Sequence, residues 1–285
     1  MRSSSMPPGA SFVAAEQDQP PSATVAGSAE LARLYDLDLA GQLDDVEFYL
    51  ALAGRRVQTI LELGCGSGRL AVPLAAAGHT VVGVDNDAHM LRRAEAAWRE
   101  RQRQGGAERG GGLTLIEGDL AALDLERRFE LAILGLNMLP ALPGRAAQRA
   151  ALAAAARHLQ PPTGRLVIDV SLPTPAELTA WDGSLSVAWQ RTDPDSGDEV
   201  AKLWSADFDH VRGVAVVNTY FDIWPRAGGG LRRIHRRDEL WLLGVGELEG
   251  LAHEAGLRVE QAGGDYAMSP LGPASERALL VCALL

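Results

Sequence analysis

Residues 57–69 read VQTILELGCGSGR. A short apolar run here gives way to three glycines at alternate positions, Gly64, Gly66 and Gly68. A strand that runs into a glycine-rich turn and then a helix places backbone N–H groups and the positive end of the helix at the switch point of a doubly wound sheet. An anionic group of a ligand can sit there. Gly64 and Gly66 would let a ligand approach the backbone without a Cβ in the way, and Gly68 would let the helix pack close to the strand. A glycine cluster is by itself a weak signal, so the reading has to extend outward.

On both sides the chain alternates short apolar runs with helical stretches. After VQTILELG come a helix through RLAVPLAAAG, the run TVVGVD, a helix through AHMLRRAEAAWRERQ, then LTLIEGD, FELAILGLN, a helix through AAQRAALAAAARHL, and RLVIDV. That order predicts βαβ crossovers and a parallel sheet with helices on both faces. Runs such as TVVGV and LAILGL suit strands buried on both sides. Ahead of the sheet, residues 29–54 carry Leu31, Leu34 and Tyr35, then Val46, Tyr49 and Leu50, at helical intervals, predicting one or two helices. The segment GGAERGGG at 105–112 reads as a surface loop.

Two acidic strand ends stand in register with the glycine turn. Asp85 closes VVGVD, 17 residues after Gly68, and can accept hydrogen bonds from both hydroxyls of a ribose. Asp87 better fits a cap for the following helix. Gly118-Asp119 follows LTLIE; an acid there can accept from an exocyclic adenine amine, or be a plain turn aspartate.

The composition narrows the function class. The chain has 285 residues, 47% hydrophobic and 22% charged, which fits a globular protein of one elaborated α/β domain. Lys and Arg number 27 against 37 Asp and Glu, a net charge of -10, which argues against broad binding of nucleic-acid phosphates. The longest wholly apolar run, ALLVCALL at 278–285, is far shorter than the ~20 residues a membrane helix needs. Residues 1–28 are rich in Ser, Pro, Ala and Gly and have no apolar stretch of a secretory signal; they are expected to be a disordered tail. With only Cys65 and Cys282, neither a disulfide framework nor a metal-ligand pattern is present, and a cytoplasmic setting is expected. The six histidines, His79, His89, His158, His210, His235 and His253, form no HExxH pattern or compact ligand set.

After Val170 the texture changes. EVAKLWSADFDHV and VAVVNTYFDIW alternate aromatic and β-branched residues about the turn HVRG, and PRAGGGLRR makes a further turn, predicting antiparallel hairpins. Trp189, Trp204, Trp224 and Trp241 fall here, with Trp181 just before. They can form a small satellite core or a lid over a substrate pocket. Helical spacing returns in GELEGLAHEAGLRV, and ERALLVCALL reads as a final strand. The expected organisation is therefore a tail over 1–28, a core over 29–180, an antiparallel lid over 181–240, and a C-terminal helix and strands over 241–285 that complete the core.

ELGCGSGR, VVGVDNDAHML and IEGDL, in that order and spacing, resemble the class I S-adenosylmethionine-dependent methyltransferases. The resemblance spans roughly 31–285, with its motifs between 57 and 142. It implies a Rossmann-like, mainly parallel seven-stranded sheet, and S-adenosylmethionine as cofactor with S-adenosylhomocysteine as product. It also implies that Glu62, Gly64, Cys65, Gly66 and Gly68 surround the methionine portion, Asp85 with Asn86 holds the ribose, and Asp119 and Leu120 contact the adenine. Met90 resembles the apolar residue beside the adenine, Tyr35 a tyrosine that closes over the cofactor, and Asn137 follows strand four at the same edge. RLVIDVSLPTPAEL, the stretch 236–266 and SERALLVCALL are similar to small-molecule members with an antiparallel insertion after strand five, some of them amino-sugar N-methyltransferases.

Asn137-Met138-Leu139-Pro140 lacks the Asn-Pro-Pro-aromatic pattern that resembles adenine or protein-glutamine methylation, so a small-molecule acceptor is expected, and neither nucleic acid nor membrane as partner. The paired histidines common after strand four are also missing. Asp169 at the end of strand five, His210 in the insertion and Tyr266 in the late GDY turn are the candidates for orienting the acceptor or taking its proton. Two rivals remain. A nicotinamide-dependent oxidoreductase fits less well, because one residue separates Gly66 from Gly68 where G-x-G-x-x-G needs two. A non-catalytic sensor of the cofactor or its demethylated product is the other.

Overall fold

The computed structural model describes residues 29–105 and 110–285. The tail expected over 1–28, and positions 106–109 of the glycine-rich loop, lie outside the described residues.

Two helices, α1 (Ala29–Asp38) and α2 (Asp44–Ala53), precede β1 (Thr59–Leu63). Then follow α3 (Ala71–Ala76), β2 (Thr80–Asp85), α4 (Ala88–Arg103), β3 (Gly112–Glu117), β4 (Leu131–Leu134), α5 (Met138–Ala141), α6 (Gly144–Arg157) and β5 (Arg165–Ser171). After α7 (Pro175–Ala180) come β6 (Ser186–Thr192), β7 (Glu199–Asp209), β8 (Val214–Trp224) and β9 (Arg232–Trp241). The chain ends with α8 (Val245–Glu254), β10 (Leu257–Gly263) and β11 (Arg277–Leu284).

The larger sheet has the order β10-β11-β5-β4-β1-β2-β3. All its neighbours are parallel except β11, which runs antiparallel to both β5 and β10. Consecutive strand residues point to opposite faces, and both faces are apolar because both are covered. Leu61, Val82, Leu134, Ile168 and Leu280 pack on one side with residues of α6 and α8. Their neighbours Ile60, Val81, Ile133, Val167 and Leu279 pack on the other with α2 and α3. The expected Rossmann-like sheet with helices on both faces, plus an antiparallel insertion, is the observed fold. The order reverses between β1 and β4, so the crevice for a ligand opens at the carboxyl ends of these strands.

β6, β7, β8 and β9 form a separate antiparallel sheet of four. One face lies on α1: Val200, Phe221 and Ile223 pack against Leu31, Leu34 and Leu37, with Trp189 and Ile234 at the margin. The spacing of three along α1 puts these leucines on one side of the helix. A satellite core therefore exists, but aliphatic residues and Phe221 make it. Among the tryptophans only Trp189 joins it, and Trp224 stays 42% exposed. Polar groups tie the same joint. Trp189 Nε1 donates to Asp38 Oδ1 at 2.8 Å, Arg191 donates to the Leu37 carbonyl at 2.7 Å, and Lys202 Nζ reaches Asp38 Oδ2 at 2.5 Å.

At the far end of the insertion, buried Gln148 donates from one amide nitrogen to the carbonyls of Leu139 and Trp241, both at 3.1 Å. This staples the exit of β9 to α5 and α6.

Candidate active site

The three glycines of the turn after β1 all have positive φ, 80°, 52° and 83° for Gly64, Gly66 and Gly68, a region side chains disfavour. Their surroundings differ. A Cβ on Gly64 would lie 2.5 Å from Met138 Cε, and one on Gly68 would lie 2.9 Å from Val72 and 3.0 Å from Ala94. Gly68 thus permits close packing of α4, where the sequence suggested the strand. Only Gly66 faces open space, with Tyr35 4.0 Å away.

That space is a cavity of about 540 Å³. Its floor is Gly64, Gly66 and the segment Asp85 to Met90; Leu31, Ala32 and Tyr35 of α1 form a wall, Met138 and Glu117 close it at the sheet, and Arg236 to Asp238 of β9 overhang it. Asp85 is buried. Its Oδ2 accepts from the Gly66 N–H at 2.8 Å and its Oδ1 from the Asp87 N–H at 2.9 Å. Each oxygen retains a lone pair for a further donor. Burial raises its pKa, and these backbone bonds oppose the rise. Asp87 caps α4 through the N–H groups of His89 and Met90, at 2.7 and 3.4 Å, as expected.

Glu62 lies beneath the turn. One oxygen is bonded by the backbone of Ala71, while Oε2 has no hydrogen-bond partner among the described residues. Burial holds its pKa well above the ordinary 4.5, and the charges of Asp85 and Asp45 add to the effect. An orphaned buried carboxyl is costly, and a cationic group brought to it would relieve that cost. Tyr35, on α1 and facing the turn, is pushed up to about 12 by burial and then by Glu62, so its hydroxyl keeps its proton.

Several expected site residues are not among those lining this cavity. The Cys65 side chain is packed in the core, where Gly83 leaves room for its sulfur, and burial raises its pKa far out of the nucleophilic range. Asp119 is exposed and accepts from the Ala121 N–H at 2.9 Å, capping a 3-10 turn at Leu120–Ala122, while the Leu120 side chain is buried in the core. Neither lines the cavity; Glu117, paired in register with Asp85, does.

Asn137 adopts φ 62°, next to Leu136 at 51°. Its amide donates to Ser171 Oγ at 2.9 Å and accepts from the Ser171 N–H at 2.6 Å, clamping the ends of β4 and β5.

Asp169 and Tyr266 are brought together. Asp169 Oδ2 accepts from the hydroxyls of Tyr266 at 3.1 Å and Tyr49 at 3.4 Å and from the Leu136 N–H at 3.4 Å, and Oδ1 is held by Arg277. Burial raises the pKa of Asp169, opposed by Arg277, and burial followed by Asp169 raises that of Tyr266. This fully bonded cluster fixes the turn after β4 and leaves neither group as a ready base. His210 lies apart, exposed in the turn after β7, its ring edge-on to Phe208 with the ring centroids 4.8 Å apart.

Sequence reading missed Tyr49 and Arg277 as polar partners. It also missed Arg69, which ties the glycine turn to Asp45, with Nε 2.7 Å from Oδ2, and to the carbonyls of Leu39 and Gln42. Tyr49 looked like one more apolar position on a helix, and only tertiary proximity reveals such pairs. No cluster of three or more metal-binding side chains occurs among the described residues.

Residues 60–162 match the model of a methyltransferase domain family. No curated protein matches the sequence. Among solved structures, the CcbJ methyltransferase of Streptomyces caelestis is 25% identical with a TM-score of 0.65, over 85% of this chain and 88% of that one. An S-adenosylmethionine-dependent methyltransferase of Clostridium acetobutylicum is 18% identical with a TM-score of 0.71, over 90% and 98%. A sugar N-methyltransferase of Streptoalloteichus is 20% identical with a TM-score of 0.66, over 87% and 92%. Residues 60–162 are thus similar to a methyltransferase domain, and the chain has the class I methyltransferase fold.

Proposed function

We propose that the protein is an S-adenosylmethionine-dependent methyltransferase of small molecules, with an amine acceptor favoured over a hydroxyl. The observation that carries this reading is the pairing of an orphaned buried carboxyl, Glu62 Oε2, with a glycine cradle that only Gly66 leaves open. The residues present fit a cofactor with a cationic amino-acid end and a ribose. Glu62 would answer the ammonium, Asp85 the ribose hydroxyls, and Tyr35, Asn86 and Met90 the walls. Asp119 Oδ2 and the Leu120 amide are what the segment after β3 can offer an adenine.

When bound, the cofactor supplies a methyl group on a sulfonium, open to direct displacement by an aligned lone pair. The chain's part is positioning and exclusion of water. A cavity of about 540 Å³ under the insertion suits small ligands and not a macromolecule. With Asp169 and Tyr266 locked together and His210 apart, none of these three stands ready as a strong base. An amine can shed its proton to water beforehand, and a pocket that disfavours charge lowers its pKa. The likeness to a sugar N-methyltransferase points the same way. In this reading residues 29–180 and 241–285 form the cofactor-binding core and 181–240 the insertion over the acceptor.

Two measurements test it. Calorimetric titration with S-adenosylhomocysteine should show binding, and NAD should show none. Labelled methyl from the cofactor should appear in a pool of small amines. Binding without transfer to any amine or alcohol would make the protein a sensor, and binding of NAD alone would overturn the reading.

A further inference from the structure

β9 carries four arginines within LRRIHRRDELW, and the pleat divides them. Arg233 and Arg237 share one face with Asp222 and Asn218, their partners in register on β8. Arg236 pairs with Thr219 and shares the opposite face with Ile234 and Phe221, the face that packs on α1. Continued beyond the satellite core, that face overhangs the cavity, and Arg236 and Asp238 line it together with Tyr35 and Gly66.

The arginines also differ in how they are bound. Arg233 is held bidentate by Asp222 at 2.6 and 2.7 Å, and Arg232 reaches across to Glu30 of α1 at 2.8 Å. Arg236 is held only through Nε, by the Asp238 carboxylate two residues on, at 2.8 and 2.9 Å. Its two terminal amino groups have no hydrogen-bond partner among the described residues. A guanidinium offers a planar fork of donors matched to a carboxylate. Here that fork is unused, half-exposed, and mounted on a wall of the cavity.

We propose that Arg236 receives the α-carboxylate of the cofactor's methionine portion, making the insertion sheet part of the cofactor site. This rests on the S-adenosylmethionine reading of the cavity. The methionine end is a zwitterion, and in the proposed reading its two poles have separate partners, one beneath the turn and one on the overhang. Glu62, buried under the turn, faces the ammonium, and Arg236, on the overhang, faces the carboxylate. The Tyr35 hydroxyl is within electrostatic reach of both, since Glu62 raises its pKa and Arg236 lowers it. The other charged groups on the lining are Arg237 and Asp238, beside Arg236 on β9, and the acidic Asp85, Asp87 and Glu117 at the ends of β2 and β3, where a carboxylate would be repelled. The charges on the lining thus set the direction in which the cofactor lies. The overhang is fixed to α1 and to α5 and α6, so the arginine is held in place before the ligand arrives.

The test is calorimetric binding of S-adenosylhomocysteine and of its decarboxylated counterpart to wild type, Arg236→Gln and Arg236→Lys, each checked by thermal melting for an intact fold. Wild type should prefer the intact ligand by about tenfold or more, the scale of a charge-assisted pair. Arg236→Gln should bind the intact ligand about tenfold more weakly and show no preference between the two, with Arg236→Lys between. An undiminished preference in Arg236→Gln would place the carboxylate elsewhere and overturn the proposal. So would unchanged binding of both ligands with a raised KM for the acceptor alone, which would assign the arginine to an anionic acceptor. Failure of wild type to bind either ligand would instead overturn the cofactor reading on which the proposal stands.

Discussion

The glycine turn after β1 and the insertion sheet meet at one cavity but are built on different principles. In the turn, the backbone does the work: three positive φ angles, an aspartate bonded to two amides, and apolar strands two deep. In the insertion, long side chains do it, with Trp189, Arg191 and Lys202 converging on the last turn of α1. A backbone-built site tolerates almost no change in residue size, while a side-chain-built joint distributes its stability over several bonds, none decisive. The two should therefore respond very differently to substitution.

The sharpest contrast lies at Gly68. A Cβ there meets Val72 at 2.9 Å and Ala94 at 3.0 Å in a backbone conformation already hostile to side chains. Gly68→Val should cost about 3 kcal/mol or more, the sum of strain and overpacking. Chemical denaturation would reveal it, and a loss under 1 kcal/mol would mean that the turn is not rigid.

Asp85→Asn comes next. It replaces a carboxylate that both holds Gly66 in place and, in the proposed reading, accepts from the ribose. Cofactor affinity should fall by about 1.5–3 kcal/mol. Unchanged calorimetric affinity in a folded variant would confine Asp85 to the turn.

Glu62 gives a pH test. The unfolded chain releases this proton near 4.5, whereas the folded protein keeps it to much higher pH because burial disfavours the charge. Through that window the folded state binds more protons, so stability falls as pH rises and levels off above the folded pKa. Glu62→Gln should remove this slope and stabilise the ligand-free protein at neutral pH by about 1–3 kcal/mol, while weakening cofactor binding. Wild type should release protons on binding the cofactor, which buffers of differing ionisation enthalpy would show. The variant should release fewer.

On the insertion side, Asp38→Ala removes the acceptor shared by Trp189 and Lys202. A loss of about 1–2 kcal/mol is expected, since both bonds are partly exposed. Cofactor affinity should fall a few-fold as well, because the same helix carries Tyr35 into the cavity. Stability lost without any change in affinity would separate the two regions.

The same contrast decides what the sequence could reveal. The succession of strands and helices, the crossovers and the glycine turn were legible because each follows from local rules of period and conformation, and Asp85 inherited its place from the strand it ends. Asp87 as a helix cap was legible for the same reason. Asp119, Cys65 and Asn137 were placed near the ligand by their position in motifs, but motif position does not say where a side chain points. Their side chains meet the Ala121 amide, the core around Gly83, and Ser171, while Asp119 Oδ2 stays open to a ligand. The Asp169 cluster needed Tyr49, Tyr266 and Arg277 from three distant segments, and no local pattern announces such a meeting. Arg236 was hidden for a subtler reason. Its neighbours in sequence are also arginines, and only the register with β8 tells which of them shares the face that packs on α1.

The smallest effect is expected at His210, which sequence alone offered as a possible base. It sits in the β7–β8 turn, exposed, touching Phe208 by its ring edge, and it is not among the residues lining the cavity. A general base must come within hydrogen-bond reach of the proton it removes, directly or through one water. His210→Gln should therefore change turnover less than about twofold, and stability by no more than about 0.5 kcal/mol. The pH profile of turnover should keep its midpoint, since it follows deprotonation of the acceptor amine. A lost acidic limb, with activity restored by added imidazole, would show that the turn swings over the cavity during the reaction. The insertion would then be a moving part, and the rigid joint between it and α1 would have to open in each cycle.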